Sequence, residues 1–448
     1  MRIRLIFIGA GMAAGRRVEH VTEQGDWDVT LFNAEPRGTY DRIMLSPVLA
    51  GEKTYEQIIT HDAAFYAARG VTCRFGERVT AIDRVAKSVT GANGVPLAYD
   101  KLVIATGSDP FMIPLPGHDL HGVIAYRDLE DTERMMALTP GSKAVVIGGG
   151  LLGLEAAAGM HARGIDVTVV HLMGHLMERQ LDEAAGYLLR KELVGRGIKV
   201  LCSSTSKEIR GADGKVAALI LDNGTELPCD LLVMAVGIRP NTKVAEAEGL
   251  TTGRGFQGDD AMVTSDADIL AIGECIEHDG QVFGLVAPLY DQAAVAAQTL
   301  AGLPATFQNR ETATKLKVTG CDLFSAGDFA AGEDREDIVY RDPARGVYKR
   351  LVLQDNRVIG AVMYGDTADG GWFHGLIRDH TDIGHIRDTL IFGPAFQGGA
   401  ALDPMGAVAA LPADAELCGC NGLPWGPAAP SAYRMATASV PRLLPPAA

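Results

Sequence analysis

Cysteine is scarce in this sequence, and the few cysteines are scattered. Seven occur among 448 residues, and no two of them form a Cys-x-x-Cys or Cys-x-x-x-x-Cys motif. Such a distribution provides no disulfide framework and is typical of proteins in a reducing compartment. We therefore expect a cytoplasmic protein whose single cysteines serve mainly in packing.

Positive charge and long apolar runs are lacking as well. The 41 Lys and Arg residues against 56 Asp and Glu residues give a net charge of −15, which disfavours nucleic acid as a partner. No apolar run approaches the roughly 20 residues that span a bilayer, so no membrane segment is expected. The first residues lead directly into a predicted strand, so no secretory signal peptide is expected either. The composition, 47% hydrophobic and 22% charged, is typical of a globular chain of two to four domains.

A glycine-rich loop in the middle of the chain predicts a dinucleotide site. A short apolar run predicts a buried parallel strand, and Gly148, Gly150 and Gly153 follow it in G-x-G-x-x-G spacing. In this pattern the first glycine permits a tight turn, the second lets the backbone approach a diphosphate, and the third packs helix against strand. An Ala-rich segment to about Ala162 predicts the helix whose free N–H groups would meet that diphosphate. Residues 167–170 predict the strand that closes the unit.

An earlier copy of this motif lies at the start of the chain. Residues 3–8 predict a strand, and Gly9, Gly11 and Ala14 form the loop that opens a predicted helix over 12–24. Alanine is an accepted variant at the third position, because only close packing is required there. The chain is therefore predicted to have two nucleotide sites.

Two side chains beyond the first loop are candidates for nucleotide contacts. An acidic ribose ligand is expected at the end of the strand predicted over 29–32. Asn33 occupies that position and Glu35 follows two residues later, so we interpret Glu35 as the ribose ligand, the alternative being a solvated loop carboxylate. Arg42 lies in a loop from which it could reach a flavin or its diphosphate, the alternative being a surface arginine.

The two halves around these loops repeat one another. Residues 79–99 and 206–230 both predict a β-meander with Asn-Gly or Asp-Gly turns. Residues 230–237 match residues 100–107 in type, each a buried strand ending in a glycine turn. A charged helical pattern over 123–138 separates the halves. This duplication is stronger evidence for two related dinucleotide domains than either glycine loop alone.

The predicted fold class is α/β, with two Rossmann-like three-layer dinucleotide-binding domains, one inserted in the other. A smaller C-terminal α+β domain and a disordered tail would follow. We predict four parts: a discontinuous first nucleotide domain at 1–118 and 246–305, the inserted domain at 119–245, a C-terminal reductase or interface domain at 306–410, and a tail at 411–448.

Several runs along residues 1–422 resemble a known family. The two glycine loops with Ala105-Thr-Gly107, Ala235-Val-Gly237 and Ile272-Gly-Glu274 resemble the two-dinucleotide flavoprotein reductases. The more specific runs resemble the large subunit of NAD(P)H-dependent assimilatory nitrite reductase; they are Tyr40-Asp-Arg-Ile-Met-Leu-Ser-Pro-Val-Leu-Ala-Gly51, Val170-His-Leu-Met173, Leu176-Met-Glu-Arg-Gln-Leu-Asp182 and Gly284-Leu-Val-Ala-Pro-Leu-Tyr290.

The resemblance implies FAD in the outer domain and NADH or NADPH in the inserted one. The implied FAD contacts are Gly9, Gly11, Ala14, Glu35, Arg42, Ala105, Thr106, Gly107, Gly273 and Glu274. The implied NAD(P)H contacts are Gly148, Gly150, Gly153, Glu155, His171 and Gly237. The sequence departs from many relatives at Glu274, where they carry Asp, and at Pro47, where they carry Lys.

His171 and Glu155 need separate interpretations. His171 lies where an acidic ribose ligand is expected for NAD; an imidazole could hydrogen-bond a hydroxyl or, when protonated, favour a 2′-phosphate. The alternative is an exposed histidine without a cofactor role, although histidine here fits the nitrite reductase pattern. Glu155 lies one turn into the helix, where we expect it to orient the nicotinamide.

The C-terminal third offers less chemistry. Residues 314–393, with strands over 348–354 and 357–364, predict a packing module or a homodimer interface rather than a reacting domain. Cys418 and Cys420 resemble the first half of a small 2Fe–2S domain, but such a cluster takes four cysteines and none follows Cys420. We therefore do not expect a complete 2Fe–2S cluster within this chain alone, although a second chain could complete it.

These features predict an FAD-dependent NAD(P)H oxidoreductase that passes electrons to an iron–sulfur or haem acceptor. No cysteine cluster for a sirohaem is present, so the electron-input part of nitrite or nitrate assimilation is the expected role. Two alternatives share the architecture: a rubredoxin or ferredoxin reductase, and an NADH oxidase. A non-catalytic redox sensor that binds NAD(P) and FAD is the alternative from another class.

Overall fold

The structure is a computed structural model that describes residues 2–246, 249–309, 313–318, 320–396, 416–418 and 423–424. The predicted metal ligands Cys418 and Cys420 lie at the limit of the described residues. Cys420 lies outside the described residues, and only the backbone of Cys418 is described. Among the helices in the described ranges, none is long and apolar enough to cross a membrane.

The first nucleotide loop is surrounded by short strands and three helices. In chain order these are β1 (Ile3–Ile8), α1 (Met12–Gln24), β2 (Trp27–Asn33), β3 (Thr39–Tyr40), α2 (Leu45–Ala50), β4 (Ile59–His61), α3 (Ala63–Ala68), β5 (Thr72–Phe75), β6 (Val79–Asp83), β7 (Ser88–Gly91), β8 (Pro96–Ala98), β9 (Lys101–Ile104) and β10 (Ser108–Pro110).

The second nucleotide loop lies in a segment of similar order. Its elements are β11 (Val123–Ala125), α4 (Leu129–Met136), β12 (Lys143–Ile147), α5 (Leu151–Ala162), β13 (Asp166–Val170), α6 (Glu183–Gly195), β14 (Lys199–Leu201), β15 (Ser206–Ala212), β16 (Lys215–Leu221), β17 (Glu226–Pro228), β18 (Leu231–Met234), β19 (Ile238–Pro240) and α7 (Lys243–Glu246).

The chain then returns to the first unit and ends in a second kind of sheet. The elements are β20 (Phe256–Gln257), β21 (Ile269–Ala271), β22 (Ile276–His278), β23 (Gln281–Val282), α8 (Val286–Leu300), β24 (Thr314–Val318), β25 (Cys321–Gly327), β26 (Glu336–Asp342), β27 (Val347–Gln354), β28 (Arg357–Tyr364), α9 (Gly370–Arg378), β29 (Glu416–Cys418) and β30 (Leu423–Pro424).

Two five-stranded parallel sheets carry the glycine loops. Their strand orders are β21-β9-β1-β2-β5 and β11-β18-β12-β13-β14, so the strand that precedes each loop is central. Continuous apolar runs suit these strands because both faces of a parallel sheet are covered. The first sheet is completed by β21, which follows the whole second sheet in sequence. The predicted α/β class is confirmed, whereas the exact domain boundaries stay a prediction.

The duplication extends to individual hydrogen bonds. Asp100 accepts from the Arg4 backbone N–H at 2.8 Å and donates its own N–H to the Arg4 carbonyl at 2.9 Å. Asp230 makes the same reciprocal pair with Lys143, with both distances 2.8 Å. Each aspartate thus sets the register of a strand that leads to a glycine turn beside a glycine loop.

One expected helix is shorter than the sequence pattern indicated. The helical pattern began at residue 123, but residues 123–125 form β11, which pairs with β18 at the edge of the second sheet. The helix starts after Asp128, whose side chain accepts the Asp131 N–H at 3.0 Å and so caps it. The pairing of β11 with β18 and the Asp128 cap therefore set the start of the helix later than the helical periodicity of the sequence indicated.

The first unit is the sheet β21-β9-β1-β2-β5 with its helices, and the second unit is the sheet β11-β18-β12-β13-β14 with its helices. Both units and the C-terminal sheet share contacts. β10 and β19 pair as a short antiparallel ribbon where the chain crosses between the units. Helix α2 packs on α5, and a side chain at Gly159 would overlap Leu49. The antiparallel C-terminal sheet has the order β24-β25-β28-β27-β26. From it, Tyr348 donates a 2.6 Å hydrogen bond to Asp182 at the start of α6.

Candidate functional site

The first glycine loop forms a cradle in front of α1. Gly9 has φ +108° and donates its N–H to the Phe32 carbonyl at 2.8 Å, and a side chain here would overlap the Ala105 carbonyl. A Cβ on Gly11 would meet no atom within 4 Å, so open space lies in front of the helix. No side chain caps α1, which leaves its first N–H groups for an anion.

The second glycine loop reproduces this geometry. Gly148 has φ +121°, donates to the Val170 carbonyl at 2.9 Å, and is pressed against the Ala235 carbonyl. Gly150 again faces open space, and α5 again has no side-chain cap. The chain therefore presents two uncapped helix starts, each behind a glycine that leaves room for a diphosphate.

The third position of the motif differs between the loops. A Cβ on Gly153 would overlap the Gly148 carbonyl, so only glycine fits there. Ala14, in contrast, is fully buried, and its methyl group is accommodated between helix and sheet. The structure thus explains why one loop ends in glycine and the other in alanine.

The two strand-end turns lie at opposite ends of the β10–β19 ribbon, where the chain crosses between the units. In the turn that starts at Ala105, Thr106 donates its hydroxyl to the Asn241 carbonyl at 2.6 Å, and the Gly107 carbonyl accepts the Asn241 N–H at 2.9 Å. Gly107 has φ +68° and Gly237 has φ +113°, conformations that favour glycine. Backbone and hydroxyl hydrogen bonds therefore tie the first turn to Asn241, the residue that follows β19.

Glu35 and Arg42 form one cluster. Tyr40 donates a 2.8 Å hydrogen bond to Glu35, and Arg42 forms an ion pair with the same carboxylate. Burial raises the pKa of the Tyr40 hydroxyl, which therefore stays protonated and remains a donor. The second Arg42 nitrogen donates to the Arg127 carbonyl at 3.2 Å. Glu35 is thus a half-buried, partnered carboxylate and not a solvated loop residue.

Glu274 lies at the other side of Arg127. It accepts a 2.6 Å hydrogen bond from Ser108 and forms an ion pair with the Arg127 guanidinium. Its neighbour Gly273 has φ +90° and donates its N–H to Gln292 at 2.8 Å. Gln292 is fully buried, and its Nε2 donor has no protein partner. An unpaired buried donor beside this turn, together with the space at the first glycine loop, fits a bound polar cofactor.

Glu155 links the second unit to the first. Ser46, on α2, donates a 2.5 Å hydrogen bond to Glu155 on α5, and its hydroxyl lies 3.1 Å from the Tyr126 hydroxyl. Burial raises the pKa of the Glu155 carboxyl, and the bond from Ser46 opposes that rise by stabilising the charged form. The carboxylate therefore lies where helices from both nucleotide units meet.

His171 is buried, and both of its nitrogens have partners. Nδ1 accepts the Gly149 backbone N–H at 3.0 Å, and Nε2 lies 3.1 Å from a Glu178 oxygen. Because Nδ1 is an acceptor and the carboxylate also accepts, the proton is on Nε2. The expected alternative of an exposed histidine is therefore wrong: His171 is 6% exposed and positions the glycine loop. For His171 to contact a ribose as expected, the ribose hydroxyl would have to replace Glu178 at Nε2 or bind beside it.

The described cysteines are isolated packing residues. Cys73, Cys202, Cys229, Cys275 and Cys321 are all unpaired thiols. Burial raises the pKa of Cys73 to about 11 and that of Cys229 to about 12, so both remain protonated and unreactive near neutral pH. Within the described ranges, no pair of thiols is available for dithiol chemistry.

Sequence reasoning missed four members of this site. Arg127 contacts Glu274 from 147 positions away, and no local motif marks it. Ser46 reaches Glu155 only through the packing of α2 on α5, and Tyr126 joins them through its hydrogen bond with Ser46. Glu178 lies in a run that was noted for its family resemblance, but its role beside His171 needs the folded loop.

Comparison with known proteins gives the family context. The family described as pyridine nucleotide-disulphide oxidoreductase matches residues 3–299, and the rubredoxin NAD+ reductase C-terminal domain family matches residues 313–381. The chain is 41% identical over 429 residues to an NAD(P)H nitrite reductase of Bacillus subtilis, covering 94% of this chain and 52% of that protein. It is 36% identical over 426 residues to the assimilatory nitrate reductase electron transfer subunit of the same organism, covering 93% and 54%.

A solved structure extends the similarity to three dimensions. A ferredoxin reductase from Rhodopseudomonas palustris matches with a TM-score of 0.76 and 26% identity, covering 85% of this chain and 96% of that one. The chain spans about half the length of the two Bacillus relatives. The resemblance expected from the short sequence runs is therefore confirmed.

Proposed function

Because the chain belongs to the pyridine nucleotide-disulphide oxidoreductase family, we propose that it passes electrons from NAD(P)H through FAD to an iron–sulfur or sirohaem protein. The family and the nitrite reductase relatives make it an NAD(P)H-dependent oxidoreductase. The observation that carries the finer proposal is the Ser46–Glu155 hydrogen bond, which joins two helices from opposite nucleotide units.

The first unit holds FAD in this proposal. The α1 N-terminus and Gly11 receive the diphosphate, and Glu35 accepts from the ribose hydroxyls while Arg42 keeps it oriented. Glu274, fixed by Ser108 and Arg127, lies at the turn expected to meet the ribityl chain. When bound, FAD accepts a hydride and releases electrons singly, so the protein supplies positioning and electrostatics.

The second unit would hold NAD(P)H in this proposal. Gly150 and the α5 N-terminus take the diphosphate. Glu155 lies one turn further along α5 at the boundary between the units, where burial raises its pKa and the hydrogen bond from Ser46 opposes that rise. A carboxyl oxygen there can orient the carboxamide of the nicotinamide, which is a positioning role and requires no proton transfer by Glu155.

The same unit favours NADH over NADPH. Glu178 places a carboxylate 3.1 Å from His171, next to the glycine loop. A carboxylate at this end of the nucleotide site accepts from ribose hydroxyls and repels a 2′-phosphate. The acidic ribose ligand expected at position 171 is therefore Glu178 in this proposal. His171 links Glu178 to the glycine loop through its two ring nitrogens.

The proposed acceptor is an iron–sulfur or sirohaem redox protein. The sequence contains no Cys-x-x-Cys or Cys-x-x-x-x-Cys motif, which disfavours the dithiol chemistry of a disulfide reductase. Relatives over essentially the whole chain include an electron transfer subunit of nitrate reductase, which supports an electron-input role in nitrite or nitrate assimilation. A homodimer through the C-terminal domain stays a prediction.

The proposal is tested by oxygen-free titration of the FAD-loaded protein with NADH and NADPH in turn. We expect loss of the visible flavin absorption with about one equivalent of NADH and a weaker response to NADPH. Reduced protein is then mixed with an oxidised 2Fe–2S ferredoxin or with dissolved oxygen. Faster reoxidation by the iron–sulfur protein supports the proposal, and faster reoxidation by oxygen would favour an oxidase.

A rubredoxin reductase is the second candidate. It is favoured by the match of residues 313–381 to the rubredoxin NAD+ reductase C-terminal domain. The same mixing experiment with oxidised rubredoxin separates the candidates, since a rubredoxin reductase would reduce rubredoxin faster than a 2Fe–2S protein.

A further inference from the structure

A cluster of two aspartates and a histidine lies outside the nucleotide sites described above. Asp260, His278 and Asp279 offer one oxygen or nitrogen each, and these atoms all lie within 4.8 Å of one another. They line a cleft of about 400 Å³ together with Gln281 and residues 306–309. The elements involved are a loop, the hairpin of β22 and β23, and the segment that follows α8.

His278 is held rigidly, and one of its nitrogens has no partner. It is 3% exposed, and its ring packs edge-on against Phe307 with centroids 5.2 Å apart. Nε2 lies 2.9 Å from an Asp260 oxygen and carries the proton, because a carboxylate only accepts. Nδ1 is buried without a hydrogen-bond partner and lies 3.8 Å from an Asp279 oxygen.

The unprotonated Nδ1 of His278 and the Asp279 carboxylate are therefore two acceptors that lie side by side, and no donor hydrogen-bonds to Nδ1. Two metal–ligand bonds of about 2.0–2.2 Å can span the separation of 3.8 Å between His278 Nδ1 and Asp279. Histidines that bind metals commonly donate the other ring N–H to a carboxylate, which fixes the tautomer. Asp260 occupies that position here.

We propose that the β22–β23 hairpin binds a divalent transition-metal ion through Nδ1 of His278 and the carboxylate of Asp279. Asp260 orients the imidazole and adds negative charge within reach of the ion, and Gln281 and residues 306–309 line the same cleft. One imidazole with oxygen ligands suits Zn²⁺ or Mn²⁺ better than Ca²⁺ or Mg²⁺, and the absence of sulfur disfavours Cu(I).

The bound ion would fasten the hairpin to the segment that leads into the C-terminal domain. The Phe307 N–H already donates to the Asp260 carbonyl at 2.7 Å, and Arg254 donates to the Gly280 carbonyl on the other side of the turn. The ion would add a third link at this point, so its loading should raise the thermal unfolding temperature.

Manganese binding to the full-length, FAD-loaded protein tests the proposal. Free Mn²⁺ is measured by its electron paramagnetic resonance signal, which avoids interference from the visible absorption of the flavin. We expect one Mn²⁺ per chain, displaced by Zn²⁺, with a rise in unfolding temperature on loading. Asp279→Asn should weaken binding at least tenfold and remove that rise, and Asp260→Asn should weaken binding by a smaller factor.

A matched control exists elsewhere in the chain. Asp213 has φ +52° and precedes Gly214 in an exposed hairpin turn, as Asp279 has φ +47° and precedes Gly280. Asp213→Asn should leave Mn²⁺ binding unchanged. No binding at millimolar Mn²⁺, or binding unaffected by Asp279→Asn, would overturn the proposal. Because Asp279 is exposed, its variant should fold even if a His278→Gln variant does not.

Discussion

Ser46 donates a 2.5 Å hydrogen bond to Glu155 across the boundary between the two nucleotide units. The two residues are 109 positions apart, and each lies on a helix of a different unit. The Ser46 hydroxyl is thus a neutral donor that opposes the rise that burial causes in the pKa of Glu155 at the proposed nicotinamide site.

Replacing Ser46 by alanine should slow flavin reduction by NADH about tenfold or more. A hydrogen bond to a charged group contributes about 1.5–3 kcal/mol, and its loss lets burial raise the pKa of Glu155 further. The Glu155 carboxyl would then protonate at higher pH, so the acid limb of the pH–rate profile should shift to higher pH. Rapid mixing across a pH series measures both effects. Ser142→Ala, at a partly buried serine of the second unit, is the control, and an unmoved profile in Ser46→Ala would contradict the assignment.

The second glycine of each loop should control one cofactor alone. Alanine at Gly11 or Gly150 meets no protein atom within 4 Å, so both variants should fold normally. The added methyl group would occupy space that the proposal gives to a diphosphate. Gly11→Ala should therefore lose FAD on gel filtration, and Gly150→Ala should keep FAD but bind NADH at least tenfold more weakly. Each variant is the control for the other, and equal effects on both cofactors would refute the assignment of the loops.

Glu178 should set the preference between the two nicotinamide cofactors. Glu178→Gln removes a like charge beside a 2′-phosphate, an effect of about 1 kcal/mol near a solvated surface. The ratio of kcat/KM for NADPH to that for NADH should rise about fivefold. Glu183→Gln, an exposed acid at the start of α6, should leave the ratio unchanged. If Glu178→Gln leaves it unchanged too, Glu178 has no ribose contact.

Asp131 should make the stability of the protein depend on pH. Burial, with the nearby Asp128, raises its pKa to about 6. The folded state therefore holds this proton more tightly than the unfolded state. The protonated Asp131 thus adds to the free energy of unfolding below about pH 4, and this stabilisation is lost as the pH rises through about 6. Denaturant unfolding at several pH values should show Asp131→Asn reducing this fall. Glu130→Gln, at the exposed neighbouring residue, should show the same fall in unfolding free energy as the wild type. An equal fall in Asp131→Asn would contradict the prediction.

The framework of the site could be predicted from sequence because it depends on local backbone geometry. Gly9 and Gly148 need positive φ next to a strand end, and only glycine provides that without strain. The strands around them are continuous apolar runs. For these reasons the loops, the helices behind them and the duplication were all predictable.

The contacts between distant segments could not be predicted in this way. Arg127 lies next to a helix start and carries no pattern, yet it links Glu35, through Arg42, to Glu274. His171 ends a strand where an acid is usual, and only the folded loop shows that it accepts from Gly149. Such pairs are set by packing between units, which periodicity does not encode.

The central claim is that the two nucleotide sites exchange a hydride. The most direct measurement is oxygen-free rapid mixing of the FAD-loaded protein with NADH and with NADH deuterated at the transferred position. We predict that loss of flavin absorption is several times slower with the deuterated cofactor, with one flavin reduced per nicotinamide oxidised. Flavin that stays oxidised in excess NADH and NADPH would contradict the account.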